Sequence, residues 1–531
     1  MLRFKGDRED LKLFKLLIVS ILELFEKLFD FLSSRREEKA QYKTKSYALP
    51  EPCYSAANRD IQTVSDQHAG LSGFYLLENN LDAFVARSNL INNADKTLDL
   101  QYYYFHGDTS GHLIAQQLIK AAERGVRIRI LLDDIDTLGA DEPIRLLNAV
   151  PNIEMRIFNP FYFRGLLRYL EFITDLSRVG RRMHNKAIIA DNCQAIVGGR
   201  NIGDIYFSAD PEQLFLDIDL LSVGPVVHDI SASFDEYWNS RWAVPVNALY
   251  SRPDKIYAKK RIKQFLQRYV QDVRQIDYVN SLQLSHLTQY KTVCELPLVW
   301  SRARLFYDDP SKIENNSSEI EKNIKENLFQ ILSSVEKELT IISPYFVPGK
   351  EGVEWIRQIR QRGVKVNIFT NSLAATDVVA VHAGYAPYRQ ELLASGVNLY
   401  ELKPSSFARE RKKYKLLRAG SRTSLHAKTV IIDHQQVFIG SPNLDPRSSD
   451  LNTEIGLLVD NKTLADQVIE LFAGISSRHN SYHLMRDPAG KLIWVSEEEG
   501  GHVRYRDEPH VGVWRKLQLS FFRLLPIEDL L

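Results

Sequence analysis

The stretches Met183-His-Asn-Lys-Ala-Ile-Ile-Ala-Asp191 and Leu425-His-Ala-Lys-Thr-Val-Ile-Ile-Asp433 decide how this chain is read. Each carries a His, a Lys two residues on and an Asp five residues further. The residues between Lys and Asp are apolar or nearly so, which predicts a buried strand. In an extended segment, residues two apart share a face, so His184 and Lys186 project together, as do His426 and Lys428. A Gly turn and an Asn follow at matching distances: Gly198-Gly199-Arg200-Asn201 and Gly440-Ser441-Pro442-Asn443. Gly199 and Ser441 are read as sites of close backbone approach to a ligand, and Asn201 and Asn443 as amide donors to it.

Working outward, the likeness continues. Thr97-Leu-Asp-Leu-Gln-Tyr-Tyr-Tyr-Phe105 resembles Leu339-Thr-Ile-Ile-Ser-Pro-Tyr-Phe-Val347, and Arg124-Gly-Val-Arg-Ile-Arg-Ile-Leu-Leu132 resembles Arg362-Gly-Val-Lys-Val-Asn-Ile-Phe-Thr370. The chain is an internal repeat. Each half reads strand, helix, strand, then a strand bearing His and Lys. The helices are expected over Ile114–Arg124 and Val353–Arg362, each stopped at an Arg-Gly pair where Gly supplies a left-handed cap. Val/Ile-rich runs after helices predict buried, largely parallel strands. The expected fold is α/β: two similar domains, each a mixed β-sheet flanked by helices, related by a pseudo-twofold axis. The boundaries read as 1–45 (amphipathic helix and linker), 46–245 (first domain), 246–310 (connection), 311–480 (second domain) and 481–531 (tail).

Composition sets the outer limits. The chain has 531 residues, 44% hydrophobic and 25% charged, with a net charge of +1. Disordered, collagen-like and coiled-coil proteins are excluded. Bulk charge gives no reason to expect a nucleic-acid partner, so any anion site is local. The three cysteines, Cys53, Cys193 and Cys294, are too few for a disulfide framework and suggest a reducing compartment. Leu11–Leu32 is rich in Leu and Phe, but six charges fall on one face of the helix it predicts. It reads as a helix on a membrane surface, or alternatively docked on the protein's own body or in a dimer. Trp514–Leu531 offers a second candidate surface helix. Two basic stretches, Phe161–Leu170 with Arg164 and Arg168, and Phe407–Arg418, are read as mouth elements that meet acidic headgroups, or as solvated loops.

The chemistry follows from the duplicated set. Two imidazoles, two ammoniums and two amides around one axis suit one phosphate diester. Lys186 and Lys428 would stabilise charge on phosphoryl oxygens. One neutral His can attack phosphorus while the other, protonated, serves the leaving oxygen. A zinc site is disfavoured, because a Lys between the candidate ligands opposes a metal. No metal and no cofactor are expected.

At these residues the sequence resembles the phospholipase D superfamily, whose mark is a duplicated His-Lys-Asp motif. Arg181-Arg-Met-His-Asn-Lys186, Val197-Gly-Gly-Arg-Asn-Ile-Gly-Asp204, Thr370-Asn-Ser-Leu-Ala-Ala-Thr-Asp377 and Val381-His-Ala-Gly-Tyr385 are similar to the bacterial cardiolipin synthases of the C type. The resemblance implies two phospholipase D-like domains with one site between them and a phosphatidyl-histidine intermediate. It implies a phosphatidyltransferase that forms cardiolipin from phosphatidylglycerol and a second phospholipid, phosphatidylethanolamine being a candidate. The alternatives are a phospholipase D releasing phosphatidic acid, a superfamily nuclease and a noncatalytic lipid-binding scaffold. It also implies attachment to a membrane surface, peripheral on the cytoplasmic face of the inner membrane, with a partner protein as one candidate requirement. By the same resemblance, a later carboxylate in its own half orients each His: Glu454 for His426 and Asp217 for His184. Asp191 and Asp433 stand as catalytic candidates or as structural salt-bridge residues. His382 is a candidate third site histidine, with a binding or packing role favoured.

Overall fold

The computed structural model describes residues 43–50, 56–68, 70–268, 273–314, 322–405, 422–498 and 500–525, with a few scattered between 19 and 34. The strands of the first half are β1 (Ser72–Leu77), β2 (Thr97–Tyr102), β3 (Arg127–Asp133), β4 (Ile153–Phe158), β5 (Ala187–Ala190), β6 (Gln194–Gly198), β7 (Gln213–Leu216), β8 (Asp219–Val223) and β9 (Ala243–Pro245). The connection supplies β10 (Val299–Ser301). The connection also supplies β11 (Ala303–Tyr307), which joins the second sheet, and the second half supplies β12 (Glu338–Ile342), β13 (Lys365–Asn371), β14 (Asn398–Leu402), β15 (Arg422–Leu425), β16 (Thr429–Ile432), β17 (Gln436–Gly440) and β18 (Ile455–Asp460). After these come β19 (Ser481–Arg486), β20 (Leu492–Glu498) and β21 (Gly501–Tyr505).

Among the described residues these form two large sheets. The order β8-β6-β5-β2-β3-β4 in the first recurs as β18-β17-β16-β12-β13-β14 in the second. The repeat read from sequence is therefore a repeat of topology. The helices Thr109–Glu123 and Gly349–Gln361 link the first parallel pair of each sheet. Each is followed by a glycine with left-handed backbone, Gly125 (φ +96°) and Gly363 (φ +88°), which frees the chain to turn into the next strand.

The sheets are less parallel than expected. β2, β3 and β4 run parallel, as do β12, β13 and β14. The motif strands β5 and β16 are antiparallel to both neighbours. The cause is local. Asp191 and Asn192, and Asp433 and His434, all take left-handed φ values of 52–57°. That conformation folds the chain straight back into β6 or β17 as a hairpin, where Asp and Asn are tolerated.

The two sheets meet across a shared apolar core. Ile189, Val197 and Leu220 belong to one buried cluster with Ile431, Val437 and Leu457. Two further backbone links cross between the halves. β7 pairs parallel with β15, and Met183 bridges Thr453. Cys193 is disulfide-bonded and Cys294 is a free thiol, so the cysteines are not all thiols as expected.

The helix expected over Leu11–Leu32 lies mostly outside the described residues, and the basic stretch Phe407–Arg418 lies wholly outside them. No helix among the described residues is long and apolar enough to cross a membrane.

Candidate active site

The two His-x-Lys segments do not lie within strands. Each is an extended lead-in that leaves its own sheet and reaches the other half. The His184 amide donates to the Thr453 carbonyl at 2.8 Å, and the Thr453 amide to the Arg182 carbonyl at 2.9 Å. In the same manner, the His426 and Ala427 amides donate to the Leu216 carbonyl at 2.7 and 3.0 Å. The residue after each bridging carbonyl region is a carboxylate: Glu454 follows Thr453, and Asp217 follows Leu216.

This arrangement crosses the carboxylates. His184 Nδ1 lies 2.9 and 3.0 Å from the Glu454 oxygens. His426 Nδ1 lies 2.5 Å from Asp217 Oδ2. Pairing within each half, Glu454 with His426 and Asp217 with His184, is not what the structure shows. The reason is the backbone bridges, which bring each motif against the other half's carboxylate. A carboxylate at Nδ1 fixes the tautomer and leaves Nε2 as the reactive nitrogen.

All six groups are buried. Burial pushes both imidazoles down, His184 to about 4 and His426 to about 3, and the neighbouring lysines add to this. Burial pushes the carboxyls up, but the imidazoles and lysines outweigh it and hold Glu454 and Asp217 at about 2. Neutral histidines thus face charged carboxylates. Burial also lowers Lys428 to about 8 and Lys186 well below its ordinary value. Each ammonium donates to the carbonyl of its own His, Lys186 at 2.5 Å. Lys428 Nζ also lies 2.9 Å from His426 Nδ1.

The following Gly turns act differently from expectation. A Cβ at Gly199 would come within 2.1 Å of Asp217 Oδ1. The close approach that Gly199 permits is by the orienting carboxylate, not by a ligand. Ser441 Oγ donates to Glu454 and accepts from the Ile455 amide at 2.9 Å, so Ser441 also serves the carboxylate. Asn201 is fully buried, accepts from the Tyr104 amide at 3.1 Å and donates to Tyr206 at 2.9 Å. Its amide supports a ring that meets His426 edge-on. Asn443 is buried, its Oδ1 has no partner among the described residues, and its backbone amide donates to Ser448 Oγ at 3.1 Å.

Asp191 and Asp433 are not brought to the histidines. Asp191 accepts from the amides of Asp95, Lys96 and Thr97 at 2.7–2.8 Å. Asp433 accepts from those of Glu336, Lys337 and Glu338 at 2.7–3.0 Å. Each sits at the far end of its motif strand, roughly 16 Å along the chain from its Lys at about 3.3 Å per residue. Both pin the start of the central strand through backbone amides.

His382 is buried in another cluster, 2.6 Å from Arg389 and 3.7 Å from Glu508, which is a packing role. Arg164 pairs with Asp134 at 2.6 Å, and Arg168 is buried against the carbonyls of Asp134 and Ile135. Neither is a free mouth cation. Beside them Leu166 (76% exposed), Leu167 and Tyr169 point outward.

Sequence reasoning missed several supporting residues. Tyr103 meets His184 edge-on at 4.9 Å. Phe215 stacks on His426 at 5.0 Å and Tyr206 meets it edge-on at 5.1 Å. Ser448 Oγ donates to Glu454 at 2.7 Å. A signal existed for Phe215, which stands two residues before Asp217 on β7 and so shares its face.

The family described as "Cardiolipin synthase, PLD-like domain" matches residues 88–238 and 328–476. The chain is 42% identical over 472 residues to Cardiolipin synthase C of Escherichia coli (strain K12), covering 89% of this chain and 98% of that one. It is 26% identical over 407 residues to a cardiolipin synthase of Clostridium perfringens (strain SM101 / Type A), covering 75% and 70%. The crystal structure of phosphatidylserine synthase from Haemophilus influenzae Rd KW20 shares the fold, with a TM-score of 0.55 and 16% identity over 89% of this chain and all of that one.

Proposed function

The chain belongs to the cardiolipin synthase family of phospholipase D-like proteins, and on that premise we propose that it joins two phospholipids into cardiolipin through a phosphatidyl-histidine formed between its halves. The observation that carries the reading is the crossed pair of His-carboxylate contacts, closed around a cradle of two lysines. His184 Nε2 attacks the phosphorus of a donor lipid. A P–N bond forms, the P–O bond to the headgroup alcohol breaks, and His426, which takes up a proton once the anionic phosphodiester lies beside it, gives that proton to the oxygen. The glycerol hydroxyl of phosphatidylglycerol then attacks phosphorus, returns a proton to His426 and breaks the P–N bond. Lys186 and Lys428 hold the phosphoryl oxygens throughout. Glu454 and Asp217 position the imidazoles. Asn201, Gly199 and Ser441 position those groups in turn, and Asn443 lines the cradle.

The phosphorylated His and the proton donor are distinguishable. Labelled donor lipid should mark the peptide bearing His184 in a His426→Ala variant. Label on the His426 peptide in His184→Ala reverses the order.

The substrates are phospholipids: phosphatidylglycerol as acceptor, with phosphatidylglycerol or phosphatidylethanolamine as donor. Vesicles of each composition, with products resolved by mass, test the reading. Cardiolipin with free glycerol or ethanolamine is expected. Phosphatidic acid as the main product under all lipid conditions, candidate partner proteins included, makes the protein a hydrolase.

Residues 46–245 and 311–480 serve as the two catalytic halves. The protein acts at a membrane surface, peripherally, on the cytoplasmic face of the inner membrane. The exposed Leu166, Leu167 and Tyr169 and the apolar face of Val513–Phe522 support a surface contact. The Cys193 disulfide favours a second reading, the oxidising face. Blocking thiols in intact cells and weighing the Cys193 peptide before and after reduction separates the two.

A further inference from the structure

A cavity of about 610 Å³ opens beside the first histidine. Its mouth is lined by Tyr103, the ring that meets His184 edge-on, and by His106 and Asp136, which pair at 2.9 Å. Much of its wall is apolar, with Ile119, Leu147, Met155 and Phe265 among the lining residues. The volume falls within the roughly 300–1,000 Å³ of ordinary small-molecule sites. Along the helix Thr109–Glu123 the lining runs from Gly111 to Ile119, about 12 Å at 1.5 Å per residue. Polar groups line the cavity at the Tyr103 end, apolar residues line much of its length, and Glu142, Arg261 and Gln264 line it where the chain 255–268 packs over it.

The roof of this cavity is the helix Lys255–Arg268. Ile262 and Phe265 face inward to the cavity. Lys255, Lys259, Lys260 and Lys263 are exposed, and Ile256 is 81% exposed. The roof is tied to the helix below through Glu142, which accepts from Tyr257 at 2.6 Å and Arg261 at 3.2 Å. A basic, partly apolar outer face suits contact with an anionic lipid surface.

We propose that this cavity holds one acyl chain of the phospholipid whose phosphorus His184 attacks. The proposal rests on the cardiolipin synthase reading and deepens it, by assigning the donor lipid to the first half. The occupant follows from position and chemistry. A donor phosphate placed at His184 leaves its glycerol and chains to be accommodated beside it, and the apolar wall begins at the ring packed on that histidine. Burying methylenes there draws the lipid out of the bilayer and holds phosphorus near Nε2. A free polar metabolite would leave the apolar wall uncovered.

Two measurements test this. The full chain is mixed with vesicles of phosphatidylglycerol bearing a photoreactive diazirine deep in one 16-carbon chain, irradiated and digested. Label on the peptides of 109–123 and 255–268 supports the proposal. Label confined to other segments overturns it, whichever product the enzyme makes. Product is scored separately in the same vesicles, so absence of cardiolipin with label in the cavity sinks the synthase reading and leaves the cavity's occupant standing. In the second measurement, Ala115, which lines the cavity, is replaced by Trp. The variant should lose about tenfold or more in kcat/KM for 16-carbon donors, while six-carbon donors lose less than about twofold. An equal loss for both chain lengths, or no loss, overturns the proposal.

Discussion

A side chain's task in this protein depends on which half it faces. His184 and His426 each rest on a carboxylate from the opposite half, so Glu454→Gln should disable the attack on phosphorus and Asp217→Asn the proton transfer. Each should lower kcat by about 100- to 10,000-fold, and only Glu454→Gln should abolish labelling of His184 in a His426→Ala background. The pH profile has a definite sign. The attacking imidazole works when neutral, and burial sets His184 at about 4, so kcat/KM should fall only as pH drops through about 4. Lys428 works when charged and is lowered to about 8, and His426 and Lys186 must also carry their protons, so kcat/KM should fall again as pH rises, at the latest through about 8. An alkaline limb near 10 would show that Lys428 is not buried in the working enzyme. Asp191 offers a contrast. Asp191→Ala leaves three amides unpaired, which costs at least about 1–3 kcal/mol. A lower Tm with an unchanged pH profile is expected, and an altered profile would place Asp191 in the chemistry after all.

At the level of elements, the repeat was readable because it needs only pattern. Arg-Gly stops, apolar runs and the paired motifs gave two α/β halves and both helix ends to within a few residues. The antiparallel setting of β5 and β16 was not readable from apolar runs, which look alike in either direction. The information lay in the Asp-Asn and Asp-His turns, where left-handed backbone makes a hairpin. The crossed carboxylates were also hidden, because sequence distance suggests partners within a half, while the β7–β15 pairing joins segments about 200 residues apart. The aromatic-basic stretch was half legible. Its arginines fold inward onto Asp134 and nearby carbonyls, and its leucines face out. The helix Val513–Phe522 docks through Leu519 on Leu373 and Ala383 and leaves Val513, Trp514 (82% exposed), Leu517 and Phe521 uncovered. Trp514→Glu with Phe521→Glu should lower activity on vesicles about tenfold and leave activity on detergent-dispersed lipid nearly unchanged. Equal effects in both assays would make this face structural.

For the whole molecule, the fold puts two histidines, two carboxylates and two lysines together between two sheets, so the site supplies its own cations. Activity should therefore survive exhaustive chelation; a loss restored only by adding one metal would reverse that. Removing residues 1–43 should reduce turnover on vesicles more than in detergent, because the segment includes the amphipathic stretch Leu11–Leu32. The crossed contacts also have a consequence in time. A ribosome releases His184 long before Glu454, which lies 270 residues downstream. At about 5–20 residues per second, that gap lasts on the order of 15–50 s. During it the emerging first half has a histidine with nothing to orient it, so a nascent chain already lying against lipid is chemically silent. Catalysis switches on when the second half docks, which makes completion of folding the enzyme's own safety catch.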